Sequence, residues 1–309
     1  MIVNDATVEE IITGYGSLYG EGGSAVIERD VISVVGPDAG RYLQGQLSQD
    51  VVAMSAHSAW SFLLAPTGRV EAWLRVHRID DEDYLLEVDA GWGDAVLTRL
   101  KRFLLRTKAD ISAPQRWALV QRRWSPDLVR IGEEGPEGAI VAPAIGPHVA
   151  GADVLLRMGA GAAAKFAVAD LVPVESLERH RIAHGVPRMG AELTDETIPG
   201  EAGQWVIDAS VSFTKGCYTG QELVARIDSR GNNVPHPIRL LSVVGDVAVG
   251  DVVRLDGAEV GAITSSTPRL GDGLPCLALA RVGRSIEVGS VVVVGTGMSA
   301  TAIEPGSVR

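Results

Sequence analysis

The sequence predicts an α+β protein that ends in a small antiparallel β-barrel, and three observations predict it. Short runs that alternate apolar and polar residues share the first two thirds of the chain with segments of helical period. Pro235-His236-Pro237 then interrupts the chain, because two prolines so close resist any regular element. Beyond them, Val- and Gly-rich runs recur at even spacing to the end, the pattern of a small barrel.

In order, residues 1–24 carry Gly14, Gly16, Gly20, Gly22 and Gly23 and read as a loosely held lead-in. Residues 25–35 read as a strand, 39–46 as a short helix, and 58–64, 70–77 and 84–88 as strands, with Pro66-Thr67-Gly68 as a turn. Residues 95–105 have helical period, with Val96, Leu97, Leu100, Leu104 and Leu105 on one side. Arg99, Lys101 and Arg102 stand on the other side, with Arg106 and Lys108 just beyond. The stretch reads either as a solvated helix face or as a positive rim for a polyanion. Residues 117–131 and 153–169 read as strands and an Ala-rich helix of a small α+β unit. A helix over 175–185 carries His180 and His184 at metal-ligand spacing, but nothing nearby completes a site, so solvated histidines are expected. The barrel strands are expected at 238–244, 252–255, 263–265, 276–282 and 290–294.

Composition narrows the function. Of 309 residues, 46% are hydrophobic, enough for a substantial core and two or three domains. The 28 basic and 39 acidic side chains leave a net charge of −11, which disfavours stable nucleic-acid binding. Two cysteines, Cys217 and Cys276, suit a reducing cytoplasm. The first residues lack a signal-peptide pattern and no apolar run is long enough to span a membrane, so a soluble cytoplasmic protein is expected.

The unusual residues concentrate in Lys215-Gly216-Cys217-Tyr218-Thr219-Gly220-Gln221-Glu222. Thr219 and Glu222 fit a capping box, which predicts a helix starting after Thr219. Cys217 would then lie just outside a helix N-terminus with Lys215 two residues before it, a setting that favours a functional thiolate. Gly216 and Gly220 would allow a close backbone approach. A structural alternative makes Tyr218 a packing residue and Cys217 a small buried hydrophobe. One thiol is too few to hold an iron–sulfur cluster by itself.

This segment resembles the K-G-C-Y-T-G-Q-E signature of the YgfZ family at every position. The resemblance extends to Leu43-Gln44-Gly45-Gln46, Gly185-Val186-Pro187, Val224-Ala225-Arg226 and Arg230-Gly231. It implies a three-domain ring shared with the GcvT-like aminomethyltransferases, with a central cavity for tetrahydrofolate. The implied units are residues 1–115 completed by 170–234, a small ferredoxin-like unit at 116–169, and the barrel at 235–309. The resemblance further implies a folate-binding accessory protein in the assembly or repair of iron–sulfur client enzymes, tRNA-modifying ones included, that depends on the motif cysteine. Glu196 corresponds to the carboxylate that holds the pterin in aminomethyltransferases, and a carboxylate can accept two bonds from its amino-pyrimidine edge. Arg226 and Arg230 could reach the glutamate tail.

Two departures accompany the match. The catalytic aspartate of the aminomethyltransferases falls on Ala72 or Trp73, and Glu71 would face the other side of its strand, so aminomethyl transfer is not expected. Two tryptophans that sandwich folate in some relatives correspond to Asp30 and Leu177. The alternatives are a folate-dependent one-carbon transferase and a non-catalytic scaffold that has lost its ligand.

Overall fold

The protein is described here by a computed structural model covering residues 6–54, 57–128, 135–157, 170–231, 233–271 and 273–308. The lead-in is not loose: Val8–Leu18 forms helix α1, capped by Thr7 and Glu10 in a reciprocal capping box. Ile11, Gly14, Tyr15 and Leu18 are buried against a later helix. Gly14 is what permits this contact, since a Cβ there would come within 2.6 Å of Ser176 Oγ.

The main body is an antiparallel sheet. Its strands are β1 (Gly23–Val35), β2 (Ser58–Leu64), β3 (Val70–Arg78), β4 (Asp83–Asp89), β5 (Asp110–Ile111), β6 (Gln115–Trp124), β7 (Ile140–Pro143) and β8 (Ala150–Arg157). The order is β2-β3-β4-β1-β6-β8-β7, with β5 beside β1. The strands expected of a separate middle unit thus continue the first sheet, through nine paired positions between β1 and β6. The Ala-rich helix expected up to residue 169 lies outside the described residues.

Helices α2 (Ala39–Gln46) and α3 (Gly93–Lys101) cover this sheet, with Tyr42, Leu43, Val96 and Leu100 in its core. Helix α3 stops four residues short of the predicted end. Its basic side is not uniformly solvated either. Arg99 is buried, donating from Nε and Nη2 to Leu64 O at 3.2 and 2.7 Å. Leu105, expected on the apolar side, is 86% exposed.

The chain then forms α4 (Val174–Ala183), a 3-10 turn at Pro199–Ala202, α5 (Gln204–Ser210) and α6 (Gln221–Asp228). Gly185, at φ 63, follows the end of α4. His180 and His184 are not solvated, since both are buried beneath Tyr19. Among the described residues no cluster of His, Cys, Asp and Glu could hold a metal.

The C-terminal strands β9 (Ile238–Val243), β10 (Val252–Leu255), β11 (Ala258–Ser266), β12 (Cys276–Val282), β13 (Val291–Val294) and β14 (Met298–Ile303) close into a barrel. Strand β14 was not foreseen, because Met298-Ser299-Ala300-Thr301-Ala302 carries small rather than bulky inward residues. Buried polar bonds dock the barrel on the body. Arg179 donates to Thr267 Oγ1 and to the Pro268 and Pro275 carbonyls, and Glu192 accepts from Thr264 and Ser265. Among the described residues no helix is long and apolar enough to cross a membrane.

Candidate functional site

Strand alternation builds a charged floor on the sheet, facing α4 and the 186–191 segment. In β3, Trp73, Arg75 and His77 share one face, and the register places Arg75 opposite Glu87 of β4. Arg29 of β1 lies opposite Asp89 of β4. Arg123 of β6 and Asp153 of β8 complete the row.

Each charge finds an opposite one. Arg29 Nε donates to Glu87 at 2.9 Å and its Nη1 pairs with Asp89. Arg75 Nη2 and Arg123 Nη1 donate to the two oxygens of Asp153 at 2.6 and 2.8 Å. Burial opposes ionisation of Glu87, but Arg75 and Arg29 overcome it and hold the carboxyl well below its ordinary range. Burial also pushes His77 below its ordinary value, so the ring is neutral. It donates from Nε2 to ionised Glu87 at 2.9 Å, while Nδ1 accepts from Ser58 Oγ at 2.7 Å. One donor is left over: Arg75 Nε is buried without a hydrogen-bond partner.

Above this floor lies a cavity of about 500 Å³. Trp60 stacks on Trp73 with centroids 4.1 Å apart, and the Arg75 guanidinium lies 4.8 Å from the Trp60 centroid. Trp60, Trp73 and Arg75 all line the cavity. The facing wall is α4, through Leu177, Glu178, His180 and Arg181. His180 stacks 4.3 Å from His184, and burial holds it well below its ordinary value, so it too is neutral. At the rim, Arg188 is 49% exposed and 3.4 Å from Glu178.

The motif residues are elsewhere. Lys215 Nζ donates to Gln44 O, Leu47 O and Gln49 O at 2.7, 2.7 and 2.8 Å, which satisfies the carbonyls at the end of α2. Its ammonium therefore faces these carbonyls rather than the thiol. Burial pushes Lys215 down to about 8. Tyr218 packs into the core below it, and burial raises its phenol to about 12. Thr219 does not cap α6: its N–H donates to Gly45 O at 3.1 Å. Gly220, at φ 83, is the residue before the helix, which begins at Gln221 without a side-chain cap. A Cβ at Gly220 would come within 2.7 Å of Ala65 O, so the position requires glycine. Gln221 Oε1 accepts from Tyr218 N at 3.4 Å, and Glu222 pairs with Arg226. Gly216 and Cys217 remain exposed, with Cys217 a free thiol and Cys276 buried.

The Lys215 clamp makes a pH prediction. In the unfolded chain the amine has its ordinary value of 10.5, so between about 8 and 10.5 the unfolded chain binds the extra proton. Stability contributed through this group therefore rises with pH across that window. Denaturant titrations at several pH values are expected to show the rise in the parent and its loss in Lys215→Met. A parent–variant difference that stays constant with pH would contradict the lowered Lys215 amine.

Of the other sequence-selected residues, Glu196, Arg226, Arg230 and Asp30 are not brought to the cavity. Glu196 is exposed, 3.8 Å from Arg281, and Arg226 and Arg230 lie on the outer face of α6 and just past its end. Asp30 accepts from Gly91 N and Gly93 N at 2.7 and 3.0 Å, anchoring the start of α3. Leu177 and Trp73 do line the cavity, whereas Glu71 turns to Arg99 at 3.4 Å. No carboxylate thus occupies the Ala72–Trp73 position. The floor residues Arg29, Arg75, Glu87, Arg123 and Asp153 escaped sequence reasoning. The available signal was charge at alternate positions inside otherwise apolar strands.

No family model matches the chain. It is 30% identical over 219 residues to the iron–sulfur cluster assembly factor IBA57 homolog, mitochondrial, of Pyricularia oryzae, covering 68% of this chain and 54% of that protein. It is 28% identical to the tRNA-modifying protein YgfZ of Aliivibrio fischeri, over 79% of each. The aminomethyltransferase T of the glycine cleavage system from Bartonella henselae shares the fold, with a TM-score of 0.75, 17% identity, and coverage of 95% and 88%. The chain is thus similar in sequence to IBA57 and YgfZ proteins and shares the fold of the aminomethyltransferase. It spans about half the length of the mitochondrial relatives it matches.

Proposed function

We propose that this chain is a cytoplasmic, folate-binding accessory protein for the assembly or repair of iron–sulfur enzymes, tRNA-modifying ones among them, with Cys217 as its functional thiol. The observation that carries the reading is the division of labour within the motif. Lys215, Tyr218, Thr219 and Gly220 are each explained by a structural contact, whereas Cys217, the motif's one reactive side chain, faces solvent beside the equally exposed Gly216. A family resemblance to an assembly factor and to a tRNA-modifying protein supports the cellular role.

The residues of the cavity fit a folate. Its volume lies within the range of about 300–1,000 Å³ usual for small-molecule sites. Asp89, 24% exposed, has lone pairs to spare for an amino-pyrimidine edge beyond the bonds from Arg29 and Met189 N. Neutral His180 can donate or accept within the pocket, and Arg188 at the rim suits the glutamate tail. Bound folate would supply one-carbon chemistry. The lack of a carboxylate at Ala72–Trp73 weighs against aminomethyl transfer.

We also propose three units, 1–115 completed by 170–234, 116–169 and 235–309, with the strands of the second extending the sheet of the first. The functional reading is tested by deleting the gene and assaying iron–sulfur enzymes and thiolated tRNA in the cell. Loss of both, restored by the parent chain, is expected. Unchanged activities in the deletion strain would refute the role.

A further inference from the structure

We propose that residues 101–108, anchored on the same helix end as the Cys217 loop, form a docking surface for a protein that presents an acidic patch around an apolar side chain. The proposal rests on the reading above, since it states what brings a partner to the thiol.

Both segments are anchored on the last turn of α2. Thr219 N donates to Gly45 O at 3.1 Å, and Arg99 Nη1 donates to Gln46 Oε1 at 3.1 Å. Arg99 in turn lies under Phe103, 4.3 Å from its ring centroid. One helix end therefore anchors both the loop that carries the exposed thiol and Arg99, which supports the basic segment.

That segment has two properties a solvated loop does not need. Lys101, Arg102 and Arg106 are exposed and make no ion pair among the described residues, on a chain whose net charge is −11. Such a local excess of positive charge steers an acidic partner. Leu105 is 86% exposed and Phe103 38% exposed, two residues apart in a segment that carries Lys101, Arg102 and Arg106. Arg106 adopts φ 58, a left-handed conformation unusual for a residue with a Cβ, immediately after Leu105. Large apolar side chains held out into water within a polar rim mark a contact site.

The same features select the partner class. A nucleic acid would meet only a few cations before the acidic remainder repelled it. Phe103 has one face covered by Arg99, which makes it a poor base-stacking platform. A membrane surface calls for an amphipathic helix, and α3 ends at Lys101, before either exposed apolar residue. An acidic protein with an apolar anchor matches the charge of the segment and its exposed Phe103 and Leu105.

The test uses the full chain and a fluorescein-labelled peptide in which Asp and Glu surround one Leu and one Phe at helical spacing. The peptide is expected to bind in a salt-sensitive manner, about tenfold more tightly than polyglutamate of equal charge. The triple substitution K101E/R102E/R106E, and separately Leu105→Asp, should each weaken it by about tenfold without changing the melting temperature. Bound peptide should slow maleimide labelling of Cys217, the exposed thiol. Cys217→Ser should bind the peptide like the parent, so failure of the thiol's cellular role and failure of the docking surface read out separately. Several results would overturn the proposal: equal or tighter binding of duplex RNA or of phosphatidylglycerol vesicles, peptide binding unaffected by the substitutions, an unchanged labelling rate, or self-association abolished by Leu105→Asp.

Discussion

Cys217→Ser is expected to leave the iron–sulfur enzymes of a deletion strain as inactive as having no chain at all, although the protein folds normally. The thiol is exposed and makes no contact in the framework, so its replacement should change the unfolding free energy by less than about 0.5 kcal/mol. Denaturant titration and assays of the complemented strain are the paired measurements. Full rescue by the serine chain would remove Cys217 from the account. Loss of rescue matched by a large loss of stability would make it a packing residue instead. Gly220→Ala serves as the contrast, because a methyl there meets Ala65 O at 2.7 Å in a left-handed backbone and should destabilise the same loop directly.

The largest effect on stability is expected at Glu87. It is fully buried and receives Arg29 and His77 at 2.9 Å each, with Arg75 at 3.4 Å. Glu87→Ala leaves two buried guanidinium groups short of a counter-charge, a loss of about 3–5 kcal/mol. The surface pair Arg41–Asp38, with Arg41 78% exposed, should contribute less than about 1 kcal/mol when Arg41 is replaced by alanine. Urea titrations of both variants check the ranking. Equal, small effects would mean that the floor is not the rigid charge network its geometry describes. Because Arg29 and Arg75 also line the cavity, Glu87→Ala should weaken any ligand held there as well.

What was legible in the sequence was local. The motif, the proline boundary and most barrel strands are written in consecutive residues, and they were found. The floor is not local. Arg29, Arg75, Glu87, Arg123 and Asp153 come from five strands, and only the sheet order brings them together. Local signals also misled where tertiary contact prevailed. Thr219 and Glu222 spell a capping box, but Gly220 enters the left-handed region so that Thr219 can bond Gly45 across to α2. Arg99 looked like part of a solvated face, yet it turns inward to Leu64 O. Glycines made residues 8–18 look loose, whereas Gly14 is what lets that helix lie close to Ser176. Glu196 followed the resemblance, but the chain around Pro199 leaves it in solvent beside Arg281.

The central claim is that the cavity over the charged floor takes a folate. Calorimetric titration of the parent chain with tetrahydrofolate tests it most directly, with Arg188→Glu and Glu196→Ala measured alongside. The account predicts a single saturable site that Arg188→Glu weakens by about tenfold and Glu196→Ala leaves unchanged, because only Arg188 borders the cavity. Absence of heat together with no thermal stabilisation at saturating ligand would contradict it, as would binding that depends on Glu196 and not on Arg188.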